Sequence, residues 1–168
     1  RTPERAYQPT KKMLAYLIVS PEDQVAAGMA LVALQGDLLG TEWHFGVDGS
    51  SATVSQRDLA MQAVIGSGFS EQIQAEGLSD FVRSATDESS SLLLFAPPKK
   101  GPWVDRVLEV ASRMPVSVMI SAEGVSDSGI LSAFKDVLFL AEDIQHPAIV
   151  AHDELSELIA LFDGTGVQ

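Results

Sequence analysis

Short hydrophobic runs recur along this chain and are separated by longer segments in which apolar residues repeat at helical spacing. Runs of this length predict β-strands, and runs without polar positions indicate strands that are covered on both faces of a sheet. The predicted strands are residues 13–20, 41–47, 63–68, 91–96, 116–121, 137–141 and 148–151. Only the strand at 41–47 alternates apolar and polar residues.

The segments between these strands predict helices. Ser20 is placed to cap the first helix, Pro21 suits its first position, and Gly40 is expected to end it. The predicted helices are residues 21–39, 55–63, 70–85, 102–114, 126–134 and 154–162, with Asp153 as a cap for the last. Strands that alternate with helices imply an α/β fold, with a doubly wound, mostly parallel sheet flanked by helices.

Basic residues are concentrated at the start of the chain. Four of the 11 basic residues lie among residues 1–12, together with two prolines, and we interpret this stretch as a basic linker. Positive charge also collects beside transmembrane helices on the cytoplasmic side, which is the second interpretation of the same stretch. Residues 13–168 are predicted to form a single domain, which is long enough to bury a full core. Because the chain begins with Arg1 and lacks a signal peptide and a long apolar run, we expect it to be part of a larger protein.

Composition narrows the possible functions. The net charge is −12, which disfavours nucleic acid and anionic lipid as partners. The chain has no cysteine, which excludes disulfides, thiolate metal sites and cysteine nucleophiles. Hydrophobic residues make up 46% of the chain, which argues against disorder.

The loop after the strand at 91–96 is the first candidate site. Lys99, Lys100 and Gly101 precede a predicted helix, where two lysines and a helix amino terminus could contact an anion. The flanking prolines at 97, 98 and 102 have no N–H to donate, so the loop makes a poor phosphate cradle, and solvated lysines are the alternative interpretation.

Other candidates are weaker. Glu22 and Asp23 follow the first strand but fit the role of helix-dipole partners. The glycines at 65–69 match no nucleotide-binding motif. His146, His152, Asp153 and Glu154 form the best metal-like cluster, but a strand separates the two histidines. We therefore predict no metal, no cofactor and no catalytic residues.

The order of elements and the closing strand in "SRMPVSVMIS" resemble the universal stress protein fold over residues 13–121. ATP-binding members of that family carry a G-x-x-G-x(9)-G-[ST] signature after the fourth strand, where this chain has "PPKKGPWVDRVLEVASRMP" with one glycine. Related domains form the cytoplasmic carboxyl-terminal part of some membrane transporters. These include relatives of cation–chloride cotransporters and amino-acid permeases, and cation/proton antiporters. The stretch "WVDRVLEVASRMPVSVMISAEGVSDSG" is similar to the cotransporter-type domain.

Three functions are compatible with this resemblance and with the residues. The first is a non-catalytic cytoplasmic regulatory or dimerisation domain of a secondary transporter, whose partners are a second copy and the transmembrane part of the same protein. The second is a soluble stress-protein-like nucleotide binder, and the third is a small α/β enzyme. The helix at 21–39 is apolar almost all round, so its surface exceeds what one sheet can cover. This helix predicts a homodimer, and packing by residues 137–162 is the competing explanation.

Overall fold

The computed structural model describes the sheet and the helices that cover it. The described residues are 12–19, 25–50, 53–67, 75–85, 90–97, 101–121, 136–137, 147–150, 155–156 and 159–160. The strands are β1 (Met13–Leu17), β2 (Trp43–Val47), β3 (Ser91–Phe95), β4 (Val116–Ser121), β5 (Asp136–Val137) and β6 (Pro147–Val150). The helices are α1 (Val25–Gln35), α2 (Arg57–Gly66), α3 (Leu78–Ala85) and α4 (Trp103–Ala111).

The strands form one sheet in the order β2-β1-β3-β4-β6-β5. The first four are parallel, whereas β6 runs antiparallel to both β4 and β5. The predicted α/β class and the mostly parallel, doubly wound sheet are therefore confirmed. The structure also confirms the predicted strands at 13–20, 41–47, 91–96 and 116–121.

Helices cover both faces of the sheet, which explains why these strands are apolar at successive positions. Along β1 and the two residues after it, Leu14, Tyr16 and Ile18 enter the core under α3 and α4. The alternate residues Ala15, Leu17 and Val19 enter the core under α1 and α2. We call these the α3/α4 face and the α1/α2 face.

The predicted strand at 63–68 is wrong, because residues 63–66 continue helix α2. The buried residues of α2 are Ala60 and Val64, which lie four positions apart and therefore share one helical face. The outer edge of β2 is instead covered by Val54, which exchanges two backbone hydrogen bonds with Phe45, at 2.7 and 3.0 Å. One antiparallel bridge thus protects part of this edge.

Helix α1 ends earlier than predicted. Its last residue is Gln35, and Asp37 adopts a left-handed φ of 56°. The N–H of Leu38 donates to the carbonyl of Ala33 at 3.0 Å, and the N–H of Asp37 donates to the carbonyl of Leu34 at 3.4 Å. This pair of bonds is a Schellman motif, in which aspartate takes the position that usually holds glycine. The expected stop, Gly40, instead lies in the turn towards β2, with a φ of 83°.

Helix α3 begins at Leu78 and not at residue 70, because Ala75 has a φ of 52° that no α-helix can include. The sequence of this helix predicts that Ile73, Leu78, Phe81 and Val82 face the sheet. The last three are buried, and Ile73 lies outside the described residues.

The predicted helix at 102–114 is present as α4, which ends at Ala111, three residues earlier than predicted. Trp103, Val107 and Val110 are buried, and Met114 packs against the same core. Glu109 and Arg113, whose i,i+4 spacing predicts an ion pair, lie 3.5 Å apart on the exposed side.

Only parts of the carboxyl-terminal predictions can be compared with the structure. The strands β5 and β6 overlap the predicted strands at 137–141 and 148–151. Residues 155–156 and 159–160 are helical, and Leu155 and Ile159 pack on the α3/α4 face. Further predictions fall on residues outside the described part of the chain: residues 1–11 of the basic linker, Ser20, Pro21, Glu22, Asp23, the helix at 126–134 and the Asp153 cap.

None of the helices in the described part of the chain combines the length and the hydrophobicity needed to cross a membrane.

Gly46 in β2 leaves room for two aromatic rings on the α3/α4 face. A Cβ atom at this position would lie 2.7 and 2.9 Å from ring carbons of Phe81 and 3.0 Å from the ring of Tyr16. We predict that Gly46→Ala lowers the free energy of unfolding by about 2 to 3 kcal/mol, because both rings must shift within a packed core. Urea denaturation measures this loss.

The matched control for this substitution is Gly66→Ala at the end of α2, where an added Cβ meets no atom within 4 Å. Its free energy of unfolding should be unchanged or raised by up to about 1 kcal/mol, since alanine favours a helix over glycine. Equal stability of the Gly46→Ala variant and the wild-type protein would contradict the packing argument.

Candidate functional site

The carboxyl edge of the parallel strands is where an open α/β sheet binds its ligands. Strand β1 lies between β2 and β3, so the connections that leave β1 and β3 diverge to opposite sides of the sheet. Such a switch point opens a crevice at the ends of those two strands. The described residues at this edge include Val19 after β1, Asp48 after β2, and Pro97 and Gly101 after β3.

Of the three predicted site residues, the structure describes Gly101 alone. Its carbonyl accepts a hydrogen bond from the N–H of Val104 at 3.1 Å, so Gly101 takes part in the first turn of α4. Pro102 occupies the N-cap position, and no side chain of the described residues caps this end of the helix. Lys99 and Lys100 lie outside the described residues, and their contact with an anion stays a prediction.

The main polar group at this edge is Asp48, which the sequence analysis did not single out. Its side chain is buried and accepts hydrogen bonds on both oxygens. The Tyr16 hydroxyl donates to Oδ1 at 2.7 Å. The backbone N–H groups of Val19 and Ala75 donate to Oδ2 at 3.1 and 3.4 Å. The carboxylate therefore joins β1 and the segment that leads into α3 to the end of β2.

The backbone around Asp48 is shaped for these bonds. The N–H of Asp48 donates to the carbonyl of Leu17 at 3.0 Å, which extends the β1–β2 pairing by one residue. Ala75 holds its left-handed conformation where its own N–H points at the carboxylate. Gly77 approaches the Tyr16 hydroxyl so closely that an added Cβ would lie 3.2 Å from it.

Burial is the main influence on the pKa values of Tyr16 and Asp48. Burial raises the pKa of Asp48 above its usual value, although the three hydrogen bonds oppose this shift, and nearby Glu76 adds to it. Burial and the neighbouring carboxylate also raise the pKa of Tyr16. The phenol therefore stays protonated and donates a hydrogen bond to Asp48. Because all of these contacts are internal to the fold, the pair has a structural role.

Arg106 is the second charged group near this cluster. It projects from α4 and is half-buried, and its charge lowers the pKa of Tyr16 against the larger effect of burial. Its Nε atom is buried and has no hydrogen-bond acceptor among the described residues. A buried guanidinium nitrogen without an acceptor is uncommon in a folded protein.

A polar groove of about 560 Å³ runs from the end of β2 along α3. Phe81 lies at the groove together with hydroxyl groups, two glycines and two carboxylates. The lining residues are Gly49, Ser50, Thr53, Glu76, Gly77, Asp80, Phe81 and Ser84. Glu76 and Asp80 flank the amino end of α3, where a helix dipole favours negative charge.

The described residues contain no cluster of metal-ligand type. Among them, no group of three histidine or carboxylate side chains could hold a metal ion. His44 is half-buried in β2, and burial, together with the positive charge of Lys12, lowers its pKa. The metal-like cluster at 146–154 lies outside the described side chains.

Comparisons with known proteins leave the family open. No protein-family model, no curated protein and no solved structure matches this chain.

Removing the Asp48 side chain should unfold the carboxyl edge. We predict that Asp48→Ala lowers the free energy of unfolding by about 3 to 5 kcal/mol, because two buried N–H groups and a hydroxyl lose their acceptor. Asp48→Asn should cost less than half of this, since an amide oxygen can still accept from the two N–H groups. Denaturant unfolding measures both variants. Asp58→Asn removes an exposed charge from α2 and should stay within about 0.5 kcal/mol of the wild-type protein.

The pH dependence of these variants checks the state of the carboxyl group. Because the folded state raises the pKa of Asp48, folding binds a proton between the unfolded pKa of about 3.9 and the higher folded value. The contribution of Asp48 to stability is therefore greatest in acid and falls as the pH rises through this window. The stability difference between wild-type protein and Asp48→Asn should shift in favour of the wild type from pH 7 to pH 4. A constant difference would contradict the raised pKa.

Proposed function

We propose that this domain is a non-catalytic regulatory and dimerisation domain of a secondary membrane transporter, of the cation–chloride cotransporter or amino-acid permease type. The observation that carries the proposal is the contrast between the carboxyl edge and helix α1. At the edge, the buried carboxylate of Asp48 is occupied by three internal donors. Helix α1, in contrast, has no polar side chain from Val25 to Leu34.

Helix α1 has more apolar surface than the sheet covers; α2 packs on part of the remainder, and residues 26–34 are all buried or half-buried. Met29, Ala30 and Ala33 are buried against the α1/α2 face, and Leu31 is partly buried and packs against the same core. Val32 is half-buried but is not part of that core. A helix that remains apolar on its outer side is commonly covered by another protein surface.

A second apolar feature lies at the opposite, amino edge of the sheet. Leu38, which follows α1, is 43% exposed and borders a groove of about 240 Å³. Met13, Leu93 and Met119 line the same groove. Together with Val32, these residues form an apolar surface at the end of α1 that is suited to association.

The charge of the chain favours this uncharged surface for contact between copies. Each copy carries a net charge of −12, so charged surfaces of two copies repel each other. In a two-fold symmetric dimer that meets through α1, residues 25–34 would contribute no carboxylate to the interface. Two-fold pairing is also the commonest closed arrangement of identical chains.

The transporter part of the proposal rests on the resemblance to transporter-linked domains and on the basic segment at residues 1–12. The proposal places the domain on the cytoplasmic side, next to the transmembrane part of the same polypeptide. The reading frame of the gene tests it, because it must join this domain to membrane-spanning segments. A frame that encodes this domain alone would favour the alternative function below.

We expect the isolated domain to form a homodimer at tens of micromolar. Light scattering should give twice the monomer mass of 17.9 kDa. Val32→Arg and Leu38→Arg should each shift the protein to the monomer, because an unpaired arginine would be buried in the interface.

Gln62→Arg is the control, since it adds the same charge at an exposed position of α2. This variant should remain dimeric. Circular dichroism of all variants separates a lost interface from a lost fold. A monomer mass of the wild-type protein over the whole range would overturn the dimerisation role.

A soluble nucleotide-binding protein of the universal stress type is the second candidate. The observation that favours it is Arg106, whose buried Nε lacks an acceptor among the described residues. A phosphate group could supply that acceptor, with help from Lys99, Lys100 and the uncapped end of α4. The prolines beside those lysines and the missing glycine signature count against this candidate.

We predict that the domain binds ATP with Mg²⁺ more weakly than micromolar affinity and does not hydrolyse it. Titration calorimetry and phosphate release measure the two properties. Micromolar binding that is lost in Lys99→Ala, Lys100→Ala and Arg106→Gln would establish the second candidate. Micromolar ATP binding that survives all three substitutions would contradict both the predicted weak binding and the proposed contacts with a phosphate group.

A further inference from the structure

We draw no further inference here: the strongest candidate, the polar groove between the end of β2 and α3, carries nothing because the dipole of α3 accounts for its two carboxylates, Glu76 and Asp80, and no described residue that lines the groove has a buried unpartnered polar atom that points to a ligand.

Discussion

The carboxylate of Asp48 is the interaction on which the arrangement at the carboxyl edge depends. It follows β2, it accepts the N–H of Val19 at the end of β1, and it accepts the N–H of Ala75 before α3. The Tyr16 hydroxyl adds a third bond from within β1. A hydrophobic core holds layers together but does not specify how each segment leaves the sheet, since apolar contacts have no direction. The three hydrogen bonds to the buried Asp48 are directional. They fix the path of the chain as it leaves β1 and β2 and as it enters α3.

These contacts cost folding free energy, and the packing of neighbouring residues offsets that cost. Burial of the carboxyl group favours its neutral form, and Ala75 occupies a conformation that L-residues rarely adopt. Tyr16 connects these polar contacts to the core, because its ring tilts against Phe81 at 5.4 Å while its hydroxyl reaches Asp48. The absence of a side chain at Gly46 makes that ring position possible. One face of β2 thus couples close aromatic packing to the hydrogen bonds at the end of the same strand.

The sequence predicted the fold better than the site, and the reason is physical. Burial on both faces of a parallel sheet makes β1, β3 and β4 nearly continuous apolar runs, which local pattern alone reveals. The stretch at 63–68 contains similar residues but lies in α2, because Ala60 and Val64 bury one helical face and Val54 already bridges to the edge of β2. Asp37 and Ala75 end or delay helices through left-handed conformations, although neither is a glycine. In the sequence, Asp48 followed by Gly49 resembles an ordinary turn. The donors to Asp48 lie 27 to 32 positions away along the chain, and no local sequence pattern encodes contacts at that separation.

The same contacts support the proposed role, in which the domain acts through its surface. A ligand site at a carboxyl edge needs polar groups with free hydrogen-bonding capacity, and the capacity of Asp48 is directed inward to three partners. The bonds of Asp48 fix the path of the chain at the ends of β1 and β2 and just before α3, which lies on the face of the sheet opposite α1. Helix α1 then presents Val32 on its outer side and is followed by the exposed Leu38. An apolar surface held on a rigid support favours binding to another protein surface, since little conformational entropy is lost when it is covered. The physical basis of the proposed dimerisation is therefore the apolar surface that Val32 and Leu38 form at the end of α1.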